Sequence, residues 1–131
     1  MEIDTHRKIN HRLCGTPEHI DPGYARLEMQ ITAEMAVDDS GLAHGGFIFG
    51  LADHAAMLAV NHPNVVLAGA DVRFLKPVRT GDAVFAEARV TQVEGKKKTV
   101  SADIFRGEEK IFTGRFNCYV PDRHVLGGSI A

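Results

Sequence analysis

The most constraining feature of this chain is a segment, residues 47–60, that is apolar on nearly every side. Asp53 and His54 are its only titratable residues, its alanine content favours a helix, and Pro63 follows where a helix would end. A helix that is hydrophobic all round has to be buried on all sides. The sequence therefore predicts one central helix, over about residues 45–61, that the rest of the chain and a neighbouring copy of the helix enclose.

Alternation of apolar and polar residues marks the strands that surround this helix. Residues 24–36 alternate, and after the helix the same period of two recurs in four segments, residues 66–74, 84–91, 99–104 and 112–120. Turn sequences separate the segments at residues 80–82, 94–96 and 107–108. The pattern predicts a meander of four antiparallel strands. With the first strand it forms an antiparallel sheet of about five or six strands wrapped around the helix, which is an α+β fold.

The two ends of the chain carry weaker signals. Apolar residues spaced four apart predict a short amphipathic helix over residues 5–14, capped by Thr5 and ended by Gly15. Residues 15–23 hold two prolines and are expected to form a loop. Residues 121–131 are expected to form a loose C-terminal tail.

Length, charge and cysteine content exclude several classes of protein. A length of 131 residues is typical of a single domain, 1–131, and a net charge of −2 lacks the basic field of a nucleic-acid-binding protein. No apolar run reaches the roughly 18 residues of a membrane helix, and residues 1–10 lack the apolar core of a signal peptide. Cys14 and Cys118 form no paired motif. We therefore expect a cytoplasmic protein without a metal, nucleic-acid or membrane partner.

One motif carries chemistry: His44-Gly45-Gly46 at the start of the central helix, followed by Asp53 within it. The first amides of a helix have no internal acceptor, and glycine lets a substrate approach the backbone. Because the helix dipole adds positive potential, the two glycines have the makeup of an oxyanion hole. A carboxylate in an apolar helix is costly unless it is functional, satisfies a backbone amide or pairs with a cation such as Arg73.

The spacing of Gly45 and Asp53 predicts how they would act together. Eight residues of helix rise about 12 Å, so one substrate carbonyl cannot contact both groups of the same helix. Two antiparallel copies of the helix would bring Gly45 of one chain near Asp53 of the other. If both residues act, the site is shared across a homodimer.

Residues 44–61 closely resemble the central helix of the hotdog-fold acyl-CoA thioesterases, in the PaaI-like branch of the phenylacetate-pathway enzymes. The similarity spans residues 24–120 and rests on the His44-Gly45-Gly46 motif, on Ala52-Asp53 at the family spacing, and on the later segments 70–77 and 81–82. The resemblance implies a hotdog fold, an acyl-CoA substrate hydrolysed to free acid and CoA, no cofactor, and assembly into a homodimer or a dimer of dimers.

By position, the resemblance implies that the Gly45 amide polarises the thioester carbonyl. It also implies that Asp53 is the catalytic acid, acting as general base on water or as nucleophile. Related enzymes often carry an Asn or Gln before the glycines to assist the carbonyl, where this chain has Asp38 and Asp39.

Further residues are candidates for binding the substrate. Gly46 and Phe47 adjoin the oxyanion site, and Phe47 could line an aromatic or an alkyl acyl pocket. His44 suits a hydrogen bond that fixes the loop before the helix. Arg73 and Lys76 suit the phosphates of CoA, with a solvated charge as the alternative for each and an Arg73–Asp71 interaction as a further alternative for Arg73.

His54 directly follows Asp53, so it points about 100° away on the helix and cannot form a dyad with it. We interpret His54 as a packing residue or the edge of a polar pocket.

Two rival functions remain. Residues 71–74 and 114–116 also resemble the effector domain of malonyl-CoA-sensing repressors, which would make the chain a non-catalytic acyl-CoA-binding module. Those domains lack an acid where Asp53 stands and carry a helix-turn-helix domain, for which the residues before the first strand are too few. A hotdog dehydratase ranks last, because its usual histidine is missing. The sequence leaves open the acyl group and the choice between dimer and tetramer.

Overall fold

A computed structural model describes residues 1–127, in which a six-stranded antiparallel sheet packs around one long helix. The helices are α1 (His11–Cys14) and α2 (Gly45–Val60). The strands are β1 (Thr16–Asp21), β2 (Tyr24–Gln30), β3 (Val66–Phe74), β4 (Ala83–Glu94), β5 (Lys97–Arg106) and β6 (Glu109–Tyr119). The predicted α+β fold, a sheet of six strands with a central helix, is confirmed.

The predicted meander is wrong in one connection. The strand order is β1-β2-β4-β5-β6-β3, so that β4, β5 and β6 form a meander but β3 pairs with β6 at the far edge. Alternation identifies strands and not their neighbours. Across the β3–β6 pair, the Phe74 ring packs edge-on against the Phe112 ring, with centroids 5.2 Å apart. The chain after β3 then crosses the end of the sheet to reach β4.

The N-terminal helix is shorter than predicted. The structure has only α1, capped by Asn10, whose side chain accepts a hydrogen bond from the Leu13 amide at 3.2 Å. Thr5 does not cap a helix, because its hydroxyl bonds His6 Nδ1 at 2.8 Å and His6 has a left-handed backbone with φ of 53°. A helix cannot pass through such a residue.

The loop predicted at residues 15–23 is largely a strand, β1. It pairs with β2 as the edge strand of the sheet, where a proline is tolerated because its outward side need not donate a hydrogen bond. Gly15 makes the sharp entry from α1, with φ of 96°. The first predicted strand ends early, at Gln30, and a short 3₁₀ turn, Ala33–Met35, follows it.

Helix α2 is buried on most of its surface, as its composition predicts, and packs chiefly against β2, β4 and β5. One stripe of α2 stays less covered than the rest. It holds Gly46, Phe49, Gly50, Asp53 and Val60, which recur at helical spacing. None of the described helices is long and apolar enough to cross a bilayer.

The C-terminal tail is not loose throughout. Asn64 donates a side-chain hydrogen bond to the Pro121 carbonyl at 3.1 Å, and Lys96 pairs with Asp122 at 2.8 Å. The start of the tail, at Pro121 and Asp122, is therefore held against the domain. Residues 128–131 of the predicted tail lie outside the described residues.

Candidate functional site

Asp53 lies on the less covered stripe of α2, where it opens onto a cavity of about 410 Å³. The cavity is lined by the end of α2, the start of β3 and the N-terminal segment, including Thr5, His6, Met57, Val66, Leu67 and His124. Asp53 Oδ1 is buried and has no hydrogen-bond partner among the described residues. The two structural roles considered for this carboxylate, a bond to a backbone amide or a pair with Arg73, are therefore not seen at Oδ1.

Burial also governs the charge of Asp53. Burial raises the pKa of Asp53 from 3.8 to about 6, because loss of solvent disfavours the ionised form. The carboxyl group is thus ionised at neutral pH but remains basic enough to accept a proton. A pKa near the working pH is what a general base requires.

The glycine turn at the start of α2 lies beside a second cavity, separate from the Asp53 cavity. The amides of Gly45 and Gly46 have no acceptor within residues 1–127, and the first bond of the helix runs from the Phe47 amide to the His44 carbonyl at 3.1 Å. Gly45 lines a cavity of about 290 Å³ together with Leu42, Phe74, Lys76 and neighbouring residues. An added Cβ at Gly45 would lie 3.3 Å from the Phe74 ring, so the close approach favours glycine here.

The structure does not bring Gly45 and Asp53 together within one chain. They lie eight residues apart on α2, about 12 Å along its axis, and line different cavities. Each cavity lacks the group that the other supplies.

The remaining residues of the motif surround the glycine turn. His44 is exposed and its ring meets the Phe47 ring edge-on, with centroids 6.1 Å apart. The backbone amide of His44 holds the loop by donating a hydrogen bond to the Met35 carbonyl at 2.8 Å. The predicted hydrogen bond from the His44 imidazole is not seen among the described residues. Gly46 is exposed, and an added Cβ there would lie 2.9 Å from the His44 ring.

The loop before the glycines has no free amide side chain to assist a carbonyl. Asp38 is used structurally: its Oδ1 accepts bonds from the Ser40 amide at 3.0 Å, the Ser40 hydroxyl at 2.6 Å and the Leu42 amide at 3.3 Å. These bonds hold the pKa of the Asp38 carboxyl below its usual value, led by the Ser40 hydroxyl. Asp38 therefore fixes the predicted turn.

The two candidate cations differ in position. Arg73 is exposed on β3 and makes no ion pair among the described residues, because Asp71 pairs instead with Arg115, at 3.9 Å. The predicted alternative, an Arg73–Asp71 interaction, is therefore not seen. Lys76 is exposed in the wall of the Gly45 cavity.

Sequence reasoning missed the contribution of the chain ends to the Asp53 cavity. Thr5, His6 and His124 line it, although they lie far from α2 in the sequence. The unusual number of histidines, seven in all, was the one available signal. His54, predicted to pack, is 2% exposed and lies beside this cavity wall.

The two cysteines are not activated nucleophiles. Burial, with a smaller effect of the Asp53 charge, raises the pKa of both thiols, that of Cys118 to about 12. Both are free. They are neutral thiols at physiological pH.

Comparison with known proteins identifies the family. A sequence model described as "Thioesterase superfamily" matches residues 40–113, which are more than half of the chain. The matched part includes the glycine turn, all of α2 with Asp53, and β3 to β5.

Solved structures share the architecture. The protein PH1136 of Pyrococcus horikoshii is 51% identical, with a TM-score of 0.95 over 96% of this chain and 97% of that chain. The PaaI protein of the phenylacetic acid degradation operon of E. coli is 26% identical, with a TM-score of 0.72 over 79% of this chain and 80% of that chain.

Curated relatives are longer than this chain. Methylthioribose-1-phosphate isomerase of Aquifex aeolicus is 54% identical over 116 residues, which are 88% of this chain and 25% of that protein. Transcription factor FapR of Bacillus subtilis is 33% identical over 93 residues, 70% of this chain and 50% of that protein. The chain spans a quarter to a half of the length of these relatives, and their names describe the larger proteins.

The match over residues 40–113 and the structural likeness to PaaI confirm the resemblance carried by the helix motif. The chain therefore belongs to the thioesterase superfamily and is a PaaI-like protein with the hotdog fold.

Proposed function

We propose that this protein is an acyl-CoA thioesterase, which hydrolyses a thioester to a free acid and CoA. The observation that carries the proposal is the carboxyl group of Asp53. It is half-buried in an apolar helix, one of its oxygens has no partner among the described residues, and burial raises its pKa to about 6. Such a costly group, facing a cavity, is what a catalytic acid or base requires. Membership of the thioesterase superfamily supports the reaction class.

The chemistry follows from the two ends of α2. Ionised Asp53 removes a proton from a water molecule that attacks the thioester carbon, or attacks that carbon itself. The carbonyl oxygen gains negative charge, which the Gly45 amide stabilises by donating a hydrogen bond. Collapse of the tetrahedral intermediate breaks the carbon–sulfur bond, and the CoA thiolate leaves and takes up a proton. In the general-base route this step gives the free acid; in the nucleophilic route it leaves an anhydride on Asp53, which a water molecule then hydrolyses to the free acid. Arg73 and Lys76 bind the phosphates of CoA, and His44, Gly46 and Phe47 contact the acyl end.

A homodimer would complete this site, and strand β3 supports the arrangement. Within residues 1–127, β3 pairs only with β6, so its other edge is free. If two β3 edges meet antiparallel across a twofold axis at Ala70, the middle residue of β3, Phe74 of one protomer lies beside Val66 of the partner subunit. Phe74 packs against Gly45, and Val66 lines the Asp53 cavity. The pairing therefore carries Gly45 of each protomer toward Asp53 of the partner subunit.

The less covered stripe of α2 supports the same dimer. Gly46 and Gly50 lie on it, and an added Cβ at Gly50 would meet no atom within 4 Å. Small residues let two helices approach closely, and an apolar stripe needs a cover. A second α2, running antiparallel, supplies that cover. We propose the homodimer as the minimal active unit, with a dimer of dimers as the further possibility for the assembly.

A substrate panel tests the reaction. The purified protein is offered aryl, short, medium and long acyl-CoAs, and a thiol reagent reports the released CoA. We expect saturable release with at least one class and its loss in Asp53→Asn. The substitution keeps the shape of the side chain, and removal of a general base typically costs about 10²- to 10⁴-fold in rate. Hydrolysis by Asp53→Asn at the wild-type rate would make Asp53 structural and the assignment wrong.

Complementation tests the shared site. Asp53→Asn and Gly45→Val chains are each expected to be inactive, the second because a side chain fills the Gly45 cavity. Mixed dimers have one intact site, so they should regain part of the wild-type activity. An active monomer at low protein concentration, or mixtures no more active than their parts, would contradict the dimer.

A non-catalytic acyl-CoA-binding module is the second candidate, supported by the 33% identity to transcription factor FapR over 93 residues. A binding module needs no buried acid, so Asp53 favours the enzyme. Calorimetry with malonyl-CoA separates the two: tight binding without release of CoA from any substrate on the panel would establish the module. We propose the cytoplasm as the location for either function, supported by the two free thiols.

A further inference from the structure

The N-terminal segment, residues 1–10, is held along α2 although it forms no regular helix or strand. At the end of α2, Asn61 binds it twice: the Asn61 side chain accepts from the Asp4 amide at 2.7 Å and donates to the Glu2 carbonyl at 2.8 Å. Asn61 itself has the left-handed conformation that ends the helix. The segment then runs back along α2 for about two helical turns, from Asn61 to His54.

Three imidazole rings join the segment to the helix at its other end. The buried His54 ring lies between the His6 ring, 6.5 Å away at an interplanar angle of 26°, and the His11 ring, 6.1 Å away at 17°. We call these three residues the histidine stack. It connects the N-terminal segment, α1 and α2.

The hydrogen bonds of the stack determine where a proton can be added. The Cys14 carbonyl can only accept, so His54 Nδ1, 3.0 Å away, carries a hydrogen and donates it. In the neutral ring Nε2 is then the site of protonation. His6 Nδ1 is bonded to the buried Thr5 hydroxyl at 2.8 Å, which anchors the second ring.

The same segment forms one wall of the candidate acid site. Thr5 and His6 line the Asp53 cavity on one side, opposite Val66 and Leu67 at the start of β3. Because His6 belongs both to the stack and to the cavity wall, the position of the wall depends on the stack. The backbone of His6 has a φ of 53°, in the left-handed region that asparagine and histidine adopt more often than most residues other than glycine.

We propose that His6 and His54 are positioning residues: as neutral, stacked imidazoles they hold the N-terminal segment against α2 as a wall of the Asp53 cavity. The kinetic part of this inference rests on the proposed thioesterase function, whereas the docking of the segment does not. The wall limits the space beside Asp53 and excludes water from it. An undocked segment would leave the substrate less well placed and Asp53 more solvated.

Protonation opposes docking. The groups near the stack are the three imidazoles themselves, Asp53 and His124 in the lining of the cavity, and the Cys14 thiol at the end of α1. Burial lowers the pKa of His54, helped by the charges of His6 and His11 and opposed by the Cys14 carbonyl, and burial also lowers the pKa of His6. The two rings thus bind fewer protons in the docked state, whereas Asp53, whose pKa burial raises to about 6, binds a proton more readily there. Because two imidazoles outweigh one carboxyl group, docking weakens as the pH falls below the ordinary histidine pKa of about 6.5.

Hydrogen–deuterium exchange tests docking without any substrate. Amide protection of residues 2–9 is measured at pH 7.5 and pH 5.5, corrected for intrinsic exchange rates. The main variant is His6→Asn, because asparagine tolerates the left-handed backbone and only the ring is lost. We expect wild-type protection to fall at pH 5.5, and protection in His6→Asn to be about threefold or more lower at pH 7.5 with little further change on acidification. His54→Asn, which keeps a donor for the Cys14 carbonyl, should behave alike if it folds.

The matched control is His19→Asn, which removes an exposed imidazole on β1 far from the stack. It should leave protection of residues 2–9 unchanged. Equal protection in wild type, His6→Asn and the control at both pH values would overturn the proposal.

Kinetics on the active substrate provides the second measurement. His6→Asn should raise KM. In a plot of kcat/KM against pH, activity in His6→Asn should fall on the acid side with the slope of a single proton, that of Asp53. The wild-type slope should be steeper, because Asp53 and the histidine stack both titrate. Identical slopes and KM values would show that the wall does not position the substrate. If no thioester is hydrolysed, the proposed function fails, while the exchange measurement still decides whether the stack holds the segment.

Discussion

Asp53→Asn is expected to stabilise the protein in a pH-dependent manner. Burial raises the pKa of Asp53 from 3.8 to about 6, so the folded state opposes ionisation of this carboxyl group. A difference of about two between the two pKa values corresponds to about 3 kcal/mol above pH 7, which solvent screening at a half-buried group reduces to about 2 kcal/mol. Asparagine has nearly the same shape and carries no charge, so the variant escapes this cost.

The sign of the effect follows from proton linkage. Between pH 3.8 and about 6 the folded state holds a proton on Asp53 that the unfolded state has lost, so Asp53 destabilises the fold progressively as the pH rises through this range. Below about pH 3 the carboxyl is neutral in both states. The variant and the wild type should therefore be equally stable at about pH 3 and differ by about 2 kcal/mol at pH 8.

Urea denaturation at several pH values, at one protein concentration, measures this difference. The matched control is Asp39→Asn, because Asp39 is exposed and forms no ion pair among residues 1–127. Its free energy of unfolding should follow the wild type at every pH. An Asp53→Asn variant that is less stable than wild type at pH 8, or a difference independent of pH, would refute the account of Asp53 as a buried, unpaired carboxylate.

Three further predictions concern activity and the backbone. The kcat/KM for an acyl-CoA should rise with pH around an apparent pKa of about 6, because Asp53 must be ionised to act; a flat profile from pH 4 to 8 would contradict its role. Arg73→Ala should raise KM for acyl-CoA with kcat largely unchanged, by less at high salt, and should not affect a short thioester without the nucleotide. An equal effect on both substrates would mean that Arg73 shapes the site. Gly15→Ala should lower the free energy of unfolding by about 2 kcal/mol or more, because φ is 96° and the new Cβ would lie 2.4 Å from Leu51 Cδ1; an unchanged urea midpoint would contradict this.

Much of the site was predictable because its main residues lie on one helix. The spacing of Gly45 and Asp53 along α2 depends only on helix geometry, so their separation of about 12 Å within one chain follows from the sequence. The burial of Asp53 follows from its apolar neighbours on the helix. The absence of a partner for its Oδ1, and hence the direction of its pKa shift, required the positions of side chains from other elements.

Long-range contacts account for what the sequence did not predict. Proline content suggested a loop where β1 forms, because an edge strand tolerates prolines that an inner strand would not. The predicted helix cap at Thr5 failed because its hydroxyl bonds His6, and the ring of His6 stacks on a helix almost fifty residues further along the chain. No local pattern distinguishes these outcomes from the predicted ones.

Local patterns predicted the element types of most of the chain, the central helix, the glycine turn and the acid, because each depends on local periodicity or on residues within one helix. Long-range packing was needed to show that β3 pairs with β6, which leaves a free edge of β3 beside the Gly45 and Asp53 cavities. It was also needed to show that the N-terminal segment lines the Asp53 cavity. Alternating residues favour any partner of matching pattern, and only the packing of side chains from distant segments selects one.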